Sequence, residues 1–270
     1  MDIDLVLSGS GTRFPIFIGA LKAFEEKNIT IKRVAGTSGG GIVAAFLALQ
    51  NKVTADELFK MILDIDFKKF KDFSLLSLIF NYGLYKGDAI EKLVDKMTGG
   101  ITFKYLPMEC KIIASSPIDD EVVVFSQGTT PDVKVSTAIR YSLSVPIIFG
   151  YKKWNGKPLV DGLLSSNYPI DSFNDNQRKV IGFRIITSSR KACCFNKMNI
   201  LEYIFYLIQS LILSLEKEHI KDAPQSASTI EFDSDINPLN FDLTNEIKTK
   251  MFELGYQTTK QFLLNGDFNV

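Results

Sequence analysis

Ser38 is the residue of this chain best placed for covalent chemistry. It stands in Gly36-Thr37-Ser38-Gly39-Gly40, a G-x-S-x-G pattern, between a short apolar run, Ile31 to Ala35, and an unbroken helix-forming stretch, Ile42 to Gln50. A serine on a sharp strand-to-helix turn is held clear of its neighbours. The bend strains the backbone and an incoming carbonyl must approach closely, so the flanking positions need to lack side chains. Gly36, Gly39, Gly40 and Gly41 meet that need. The helix beyond Ser38 turns backbone N–H groups and the positive end of its dipole toward any negative charge developing at the serine, which favours acyl transfer. A glycine turn carrying an incidental serine has the same letters, so other residues must decide.

Acyl transfer at a serine needs a base. The usual one is histidine, but the chain has only His219, set among Glu216, Lys217, Glu218 and Lys221 in what reads as a solvated helix end. A carboxylate in direct contact with the serine hydroxyl, its basicity tuned by burial, can take the proton instead. The scarcity of histidine therefore points to a two-residue pair.

A second glycine loop, Gly9-Ser10-Gly11-Thr12-Arg13, lies between the apolar run Ile3 to Leu7 and the helical spacing of Ile16 to Lys27. Its amides can line the mouth of the same sheet as an oxyanion hole, or cradle a phosphate or dinucleotide. A dinucleotide loop wants a third glycine where Phe14 stands. It also wants an acidic residue ending the second strand, where the chain runs Ile29-Thr30-Ile31-Lys32-Arg33.

These loops have to be positioned by the elements around them. Two strand-loop-helix units within the first 50 residues predict a parallel sheet. Helices are expected over Thr54 to Asp66, Asp88 to Met97 and Lys134 to Leu143, with an aromatic-rich, irregularly helical stretch over Lys68 to Phe80. Strands are expected at Cys110 to Ser115 and Glu121 to Ser126. An extended Pro146 to Tyr151 and a hairpin turn over Lys152 to Lys157 lead into a strand at Pro158 to Val160, and Lys179 to Ile186 is read as the last core strand. The tail holds an apolar helix near Ile200 to Lys221, a polar link through Ser234 and a closing helix from Thr244 to Leu264. No repeat or linker interrupts residues 1–270, which read as one domain.

Composition narrows the partners. Lys plus Arg and Asp plus Glu number 31 each, so no net charge draws the molecule to nucleic acid or anionic lipid, and any membrane contact must be local. Cys110 and the pair Cys193-Cys194 form neither a disulfide framework nor, with one histidine, a metal-ligand pattern, and read as reduced and structural. No calcium loop is visible, and a serine–carboxylate pair needs no metal or other cofactor. Met1 to Leu7 lacks the basic start and long apolar run of a signal peptide, and Ile200 to Leu215, broken by Glu202 and Gln209, is short of a membrane span. A cytoplasmic protein, peripheral to membranes at most, is expected.

The order of motifs resembles that of patatin-like phospholipases: a glycine-rich loop, then G-x-S-x-G, then a distant D-G-[GA]. Asp161-Gly162-Leu163 follows the apolar Leu159-Val160, 123 residues after Ser38, and matches the first two letters of the third motif, although an Asp-Gly alone is usually a turn. Tyr85-Lys86-Gly87-Asp88, the run Ala138 to Pro146, Asn167-Tyr168-Pro169 and Phe241-Asp242-Leu243-Thr244 carry the resemblance over nearly the whole chain. It implies a three-layer α/β/α fold around a mostly parallel sheet, and a lipid acyl hydrolase of phospholipase A type. In it Ser38 is the nucleophile and Asp161 the base, which later activates water against the acyl-enzyme. Gly9, Ser10 and Gly11 form the oxyanion hole, with Arg13 nearby to favour anionic charge; the sequence leaves open an activating host protein as a partner.

Two departures mark the chain. The family loop usually reads G-G-G-x-[RK]-G, and here Ser10 replaces the middle glycine and Phe14 the last, while Leu163 replaces a small residue. Ser10 still offers its backbone N–H. Phe14 either narrows the site, forms an acyl-binding wall, or marks a module that binds lipid or protein without turnover. A serine protease or general carboxylesterase shares G-x-S-x-G but lacks its histidine here. Lipid substrates have to be met at an interface, and Phe67, Phe70, Phe73, Leu75, Leu76, Leu78, Ile79 and Phe80, interleaved with lysines, fit either a lid or docking patch or ordinary core packing. The apolar tail helix is read as closing the core.

Overall fold

The computed structural model describes residues 1–49, 53–188, 200–221, 223–224 and 227–265. The first apolar run is strand β1 (Asp2–Leu7), and the second is β2 (Thr30–Thr37). They pair in parallel with β4 (Glu109–Ser116), β9 (Lys179–Ile186) and β10 (Ser228–Asp233) in the order β10-β9-β1-β2-β4. Beyond β4 the direction reverses, with β5 (Glu121–Phe125) and β8 (Lys157–Asp161) both antiparallel to it and β7 (Lys152–Trp154) closing a hairpin on β8. Two short strands, β3 (Gly83–Tyr85) and β6 (Ile147–Phe149), form a separate parallel pair.

Alternation along β1 shows how the layers form. Ile3, Leu5 and Leu7 enter one buried cluster with α1 (Pro15–Glu26) and α2 (Gly39–Ala48). Val6 enters another with Ala35, Val180 and the segment Tyr168, Ile170 and Phe173. The first face also holds α3 (Ala55–Leu63), α5 (Asp88–Thr98), α6 (Val135–Ser142) and α9 (Asn245–Leu264); α8 (Ile200–Lys221) touches the second cluster's Ile170–Ser172 turn and α7 (Leu163–Ser166), while Leu163, Ile208 and Ile212 join the first cluster. The fold is a three-layer α/β arrangement with a mostly parallel central sheet, as the resemblance implied. Among the described residues no helix is long and apolar enough to cross a membrane.

Three expectations need correction. Lys179 to Ile186 is not the last core strand. The segment read as a polar link contains β10, whose Ile230 and Phe232 are buried while Glu231 and Asp233 are exposed. This half-polar edge strand hides its apolar face in a linker-like composition. Helix α2 starts at Gly39 rather than Ile42, so the glycines form its first turn instead of a loop before it. The aromatic stretch divides: Phe67 is buried and Phe70 half-buried in a short 3-10 turn, whereas α4 (Leu75–Asn81) and Phe73 stand exposed. The expected end of the second helix at Gln50, the pair Cys193-Cys194 and the side chain of His219 lie outside the described residues. Cys110 is buried, and burial pushes its thiol well above the ordinary range.

Helix α1, which carries the first glycine loop at its start, is held by α9 through a backbone-to-backbone approach. A methyl group on Gly255 would run into the Ile16 carbonyl, and one on Gly19 into that of Phe252. Neither carbonyl can move without shifting its helix. Gly255→Ala is expected to destabilise the fold by about 1–3 kcal/mol, measured as a lowered denaturation midpoint; an unchanged midpoint would show that the two helices slide freely.

Candidate active site

Ser38 follows the last residue of β2 with φ 53° and ψ −124°, a conformation that a non-glycine residue holds only under strain. The bend is enforced by packing on every side. A side chain on Gly39 would collide with the Ser10 hydroxyl and the Gly11 backbone, and one on Gly36 or Gly40 with neighbouring carbonyls. The sheet brings Asp161 to the serine, because Thr37 lies opposite Ile113 on β4 and Asp161 opposite Ala114 on the same strand. Gly162 lets the chain pass close to Ile113 and Thr37, where a Cβ would be 2.6 Å from the Ile113 carbonyl oxygen.

The two side chains meet directly. Ser38 Oγ donates to Asp161 Oδ2 at 2.7 Å, and the Leu163 N–H donates to Oδ1 at 2.9 Å. Asp161 is fully buried, and among the described residues it forms no ion pair. Burial therefore pushes its pKa up to about 7, against the two hydrogen bonds, which favour the carboxylate. The pair consists of a hydroxyl and a carboxylate whose proton affinity lies near neutrality, the condition for general-base work.

One short segment grips both backbones. The Ser38 N–H donates to Ser142 Oγ at 2.8 Å, and the Asp161 N–H to the Ser144 carbonyl at 3.0 Å. Arg140 Nη1 donates to Ser144 Oγ at 2.7 Å, and Ser144 Oγ returns a bond to the Arg140 carbonyl at 3.0 Å. The sequence offered this run only as part of a resemblance; nothing in its letters announces that a hydroxyl on α6 caps the strained serine amide.

The first glycine loop lies against the start of α2. Gly9 gives its N–H to the Asn167 carbonyl at 2.8 Å, and Gly11, at φ 55°, passes against Pro238. Of the three expected oxyanion donors, Gly9 is thus already engaged, whereas the Gly11 amide borders Gly39 at the helix start. Arg13 is buried and braces the loop. Its Nε donates to the Ser10 carbonyl at 3.3 Å, and Nη1 to Thr187 Oγ1 at 3.3 Å and the Ser234 carbonyl at 3.5 Å. Burial lowers its pKa to about 10, opposed by the charge of Glu216. Phe14 neither narrows the site nor walls it: it stacks on Phe67 with ring centroids 5.4 Å apart, outside the cleft.

An open cleft lies over Ser38. Ser10, Gly11, Arg13, Asn167, Gln209 and Glu216 line its polar part, and Val145, Leu163, Ile185, Ile212, Leu213 and Leu239 its apolar part. Helix α8 is therefore a wall of this cleft as well as a cover for the core. Glu216 corrects another expectation. It is buried rather than part of a solvated helix end, accepting from Asn167 Nδ2 and from Arg184 Nε and Nη2 at 2.9 and 2.6 Å. Its pairing with a strand residue 32 positions away is invisible to local sequence reading. Among the described residues, no group of histidine, cysteine and carboxylate side chains could hold a metal ion.

Comparison with known proteins agrees with this architecture. The family model for patatin-like phospholipases matches residues 5–174. The uncharacterized protein YqhO of Bacillus subtilis is 32% identical over 97% of this chain and 98% of its own length. The probable lipid hydrolase 463L of Invertebrate iridescent virus 6 is 29% identical over 62% of this chain and 61% of its own. Among solved structures, VipD from Legionella pneumophila superposes with a TM-score of 0.52 at 14% identity, over 98% of this chain and 66% of VipD, a likeness of fold. The matched span includes both glycine motifs and Asp161, and the chain belongs to the patatin-like phospholipase family.

Proposed function

We propose that this protein is a lipid acyl hydrolase of phospholipase A type, working through Ser38 and Asp161 by way of an acyl-enzyme. The observation that carries the reading is the 2.7 Å contact between the Ser38 hydroxyl and a fully buried carboxylate. Family membership supports the coarser statement, hydrolysis of lipid esters.

In this reading Asp161 takes the proton of Ser38 as Oγ attacks the ester carbonyl. The oxyanion of the tetrahedral intermediate is received by the N–H groups of Ser10, Gly11 and Gly39 at the positive end of α2. As the intermediate collapses, Asp161 gives its proton to the departing alkoxide, and the acyl group stays on Ser38. A water molecule then loses a proton to Asp161, attacks the acyl carbonyl, and releases the fatty acid as Asp161 returns the proton to Ser38. The apolar wall of Val145, Leu163, Ile212 and Leu213 takes the acyl chain. Because the walls come from both ends of the sequence, Ser10 and Leu239 included, residues 1–270 are taken as one functional unit meeting acyl lipid at a membrane surface. The rival reading, a silent binding module, rests on Phe14 and Ser10; Phe14 lies outside the cleft, and Ser10, which lines it, keeps a backbone N–H to offer in the proposed oxyanion hole.

Fatty-acid release from phospholipid vesicles and from a soluble short-chain ester tests the pair. Ser38→Ala is expected to abolish turnover, and Asp161→Asn to lower kcat by about 10²–10⁴-fold; turnover surviving in Ser38→Ala sinks the mechanism. Since Asp161 accepts a proton only when ionised, kcat/KM on the soluble ester should rise about tenfold per pH unit below about 7 and level off above it. A flat profile from about pH 5 to 8 would remove Asp161 from the proton transfer. Ser142→Ala leaves the Ser38 amide without its partner, so kcat is expected to fall by about tenfold or more with KM little changed; a rise in KM alone would show that Ser142 does not position the serine.

A further inference from the structure

Helix α4 is inverted. Its one buried residue is Ser77, while Leu75, Leu76, Leu78, Ile79 and Phe80 are exposed, Leu76 and Phe80 by 68% and 66%. Phe73 and Tyr82, on either side, are also exposed. The arrangement is built rather than frayed. Ser74 caps the start by accepting from the Ser77 N–H at 3.2 Å, and Tyr82 ends the helix in the left-handed conformation. The Tyr151 N–H holds the Asn81 carbonyl at 3.1 Å, and Ser77 packs so closely on Gly150 that a Cβ there would be 2.6 Å from its hydroxyl. A capped, pinned helix that turns its only small polar residue inward presents an apolar surface to something outside the fold.

Position and charge say what that partner is. The β3–β6 pair behind α4 joins the cleft at two points. Strand β6 begins two residues after Val145, which lines the cleft, and Phe241, which packs on Tyr85 and Phe149, lies two residues after Leu239, which also lines it. Helix α4 contains no charged residue. Exposed Lys68 and Lys69 precede it and exposed Lys86 follows it; exposed Asp64 and Asp66 lie earlier in the chain, and Lys68 stands 3.9 Å from Asp242. Apolar side chains fringed by lysine fit a membrane interface whose headgroups are negative. Two copies meeting face to face would set the lysine fringes against each other.

We propose that α4 is the docking element for an anionic phospholipid bilayer: Phe73, Leu75, Leu76, Ile79 and Phe80 enter the acyl boundary, and Lys68, Lys69 and Lys86 face the headgroups. The proposal rests on the lipid-hydrolase reading for the identity of the surface, and it deepens that reading by naming where the protein meets its substrate.

The test is co-sedimentation of the full chain, in a Ser38→Ala background so that vesicles stay intact, with phosphatidylcholine vesicles and with vesicles in which about one quarter of the lipid is phosphatidylserine. Preferential binding to the anionic vesicles is expected, weakening with salt. Leu76→Ser/Phe80→Ser should lower it by at least tenfold, and Lys68→Gln/Lys69→Gln by about thirtyfold, roughly fivefold for each lysine. Equal binding to both vesicle types, or unchanged binding by the Leu76→Ser/Phe80→Ser variant, overturns the proposal. So does a dimer, seen by analytical ultracentrifugation, that these changes dissolve while vesicle binding persists. With Ser38 restored, the α4 variants should hydrolyse a soluble short-chain ester as the unmodified protein does. If the unmodified protein binds anionic vesicles through α4 yet turns over no ester, the hydrolase reading fails and the docking proposal stands.

Discussion

The arrangement turns on a carboxylate buried without a cation. Asp161 has lost its water and is left with one hydroxyl and one amide as donors. Its displacement from an ordinary 3.8 to about 7 corresponds to about 4 kcal/mol of stability forgone at high pH. The sign follows from the raised native value. Below about pH 4 the group is protonated in folded and unfolded chains alike and costs nothing; the full cost is reached as pH rises through about 7. Ser38 adds the strain of a left-handed, non-glycine backbone beside it. Two local penalties at one point require a surrounding structure that cannot relax, and the crowded glycines at positions 36, 39, 40 and 162 are the visible form of that rigidity.

The same fold treats another aspartate differently. Asp4 is as fully buried as Asp161, but Arg33 reaches it at 2.6 Å and extends to Asp175, stitching β1, β2 and the chain before β9. A buried charge that loses its partner is strongly destabilising, so such a network serves to fix strands in place. Arg13 and Arg184 follow the same logic near the cleft. The first braces the glycine loop through carbonyls and a hydroxyl; the second pairs with Glu216 and fastens α8 where it forms the wall. Among the described residues Asp161 is given no such cation, and burial keeps its proton affinity high, as the proposed proton transfer from Ser38 requires.

What the sequence made legible follows from how local each signal is. The first two strand-loop-helix units stand out because apolar runs and glycines alternate over short distances, and Asp161 stands out through its motif. Strand β10 does not, because only Ile230 and Phe232 face inward and their neighbours are polar. Glu216 escapes local reading because charge near a helix end normally means solvent, and its partner Arg184 is brought to it only by the sheet. Phe14 occupies a motif position, but where it points depends on Phe67, 53 residues further on, with which it stacks. Ser142 has no local signature, since a serine at the end of a helix 104 residues after Ser38 looks like any other serine until its hydroxyl is found on the Ser38 amide.

Sheet polarity explains why these parts converge. The glycine loop follows β1, Ser38 follows β2, Thr187 follows β9 and Ser234 follows β10, so four parallel strands deliver their carboxyl ends to one edge. Asp161 cannot arrive in the same way, because its strand runs antiparallel beyond β4. That reversal sets Asp161 opposite Ala114, within hydrogen-bond reach of Ser38, while a cleft opens over the serine. The hairpin that makes the reversal also fixes the approach: β7 and β8 are too short to slide without losing their pairing, and Gly162 turns the chain back against Thr37 immediately after the aspartate. A side chain there would run into the Ile113 carbonyl and Thr37, and so disturb the contact between Asp161 and Ser38 on which the proposed proton transfer depends.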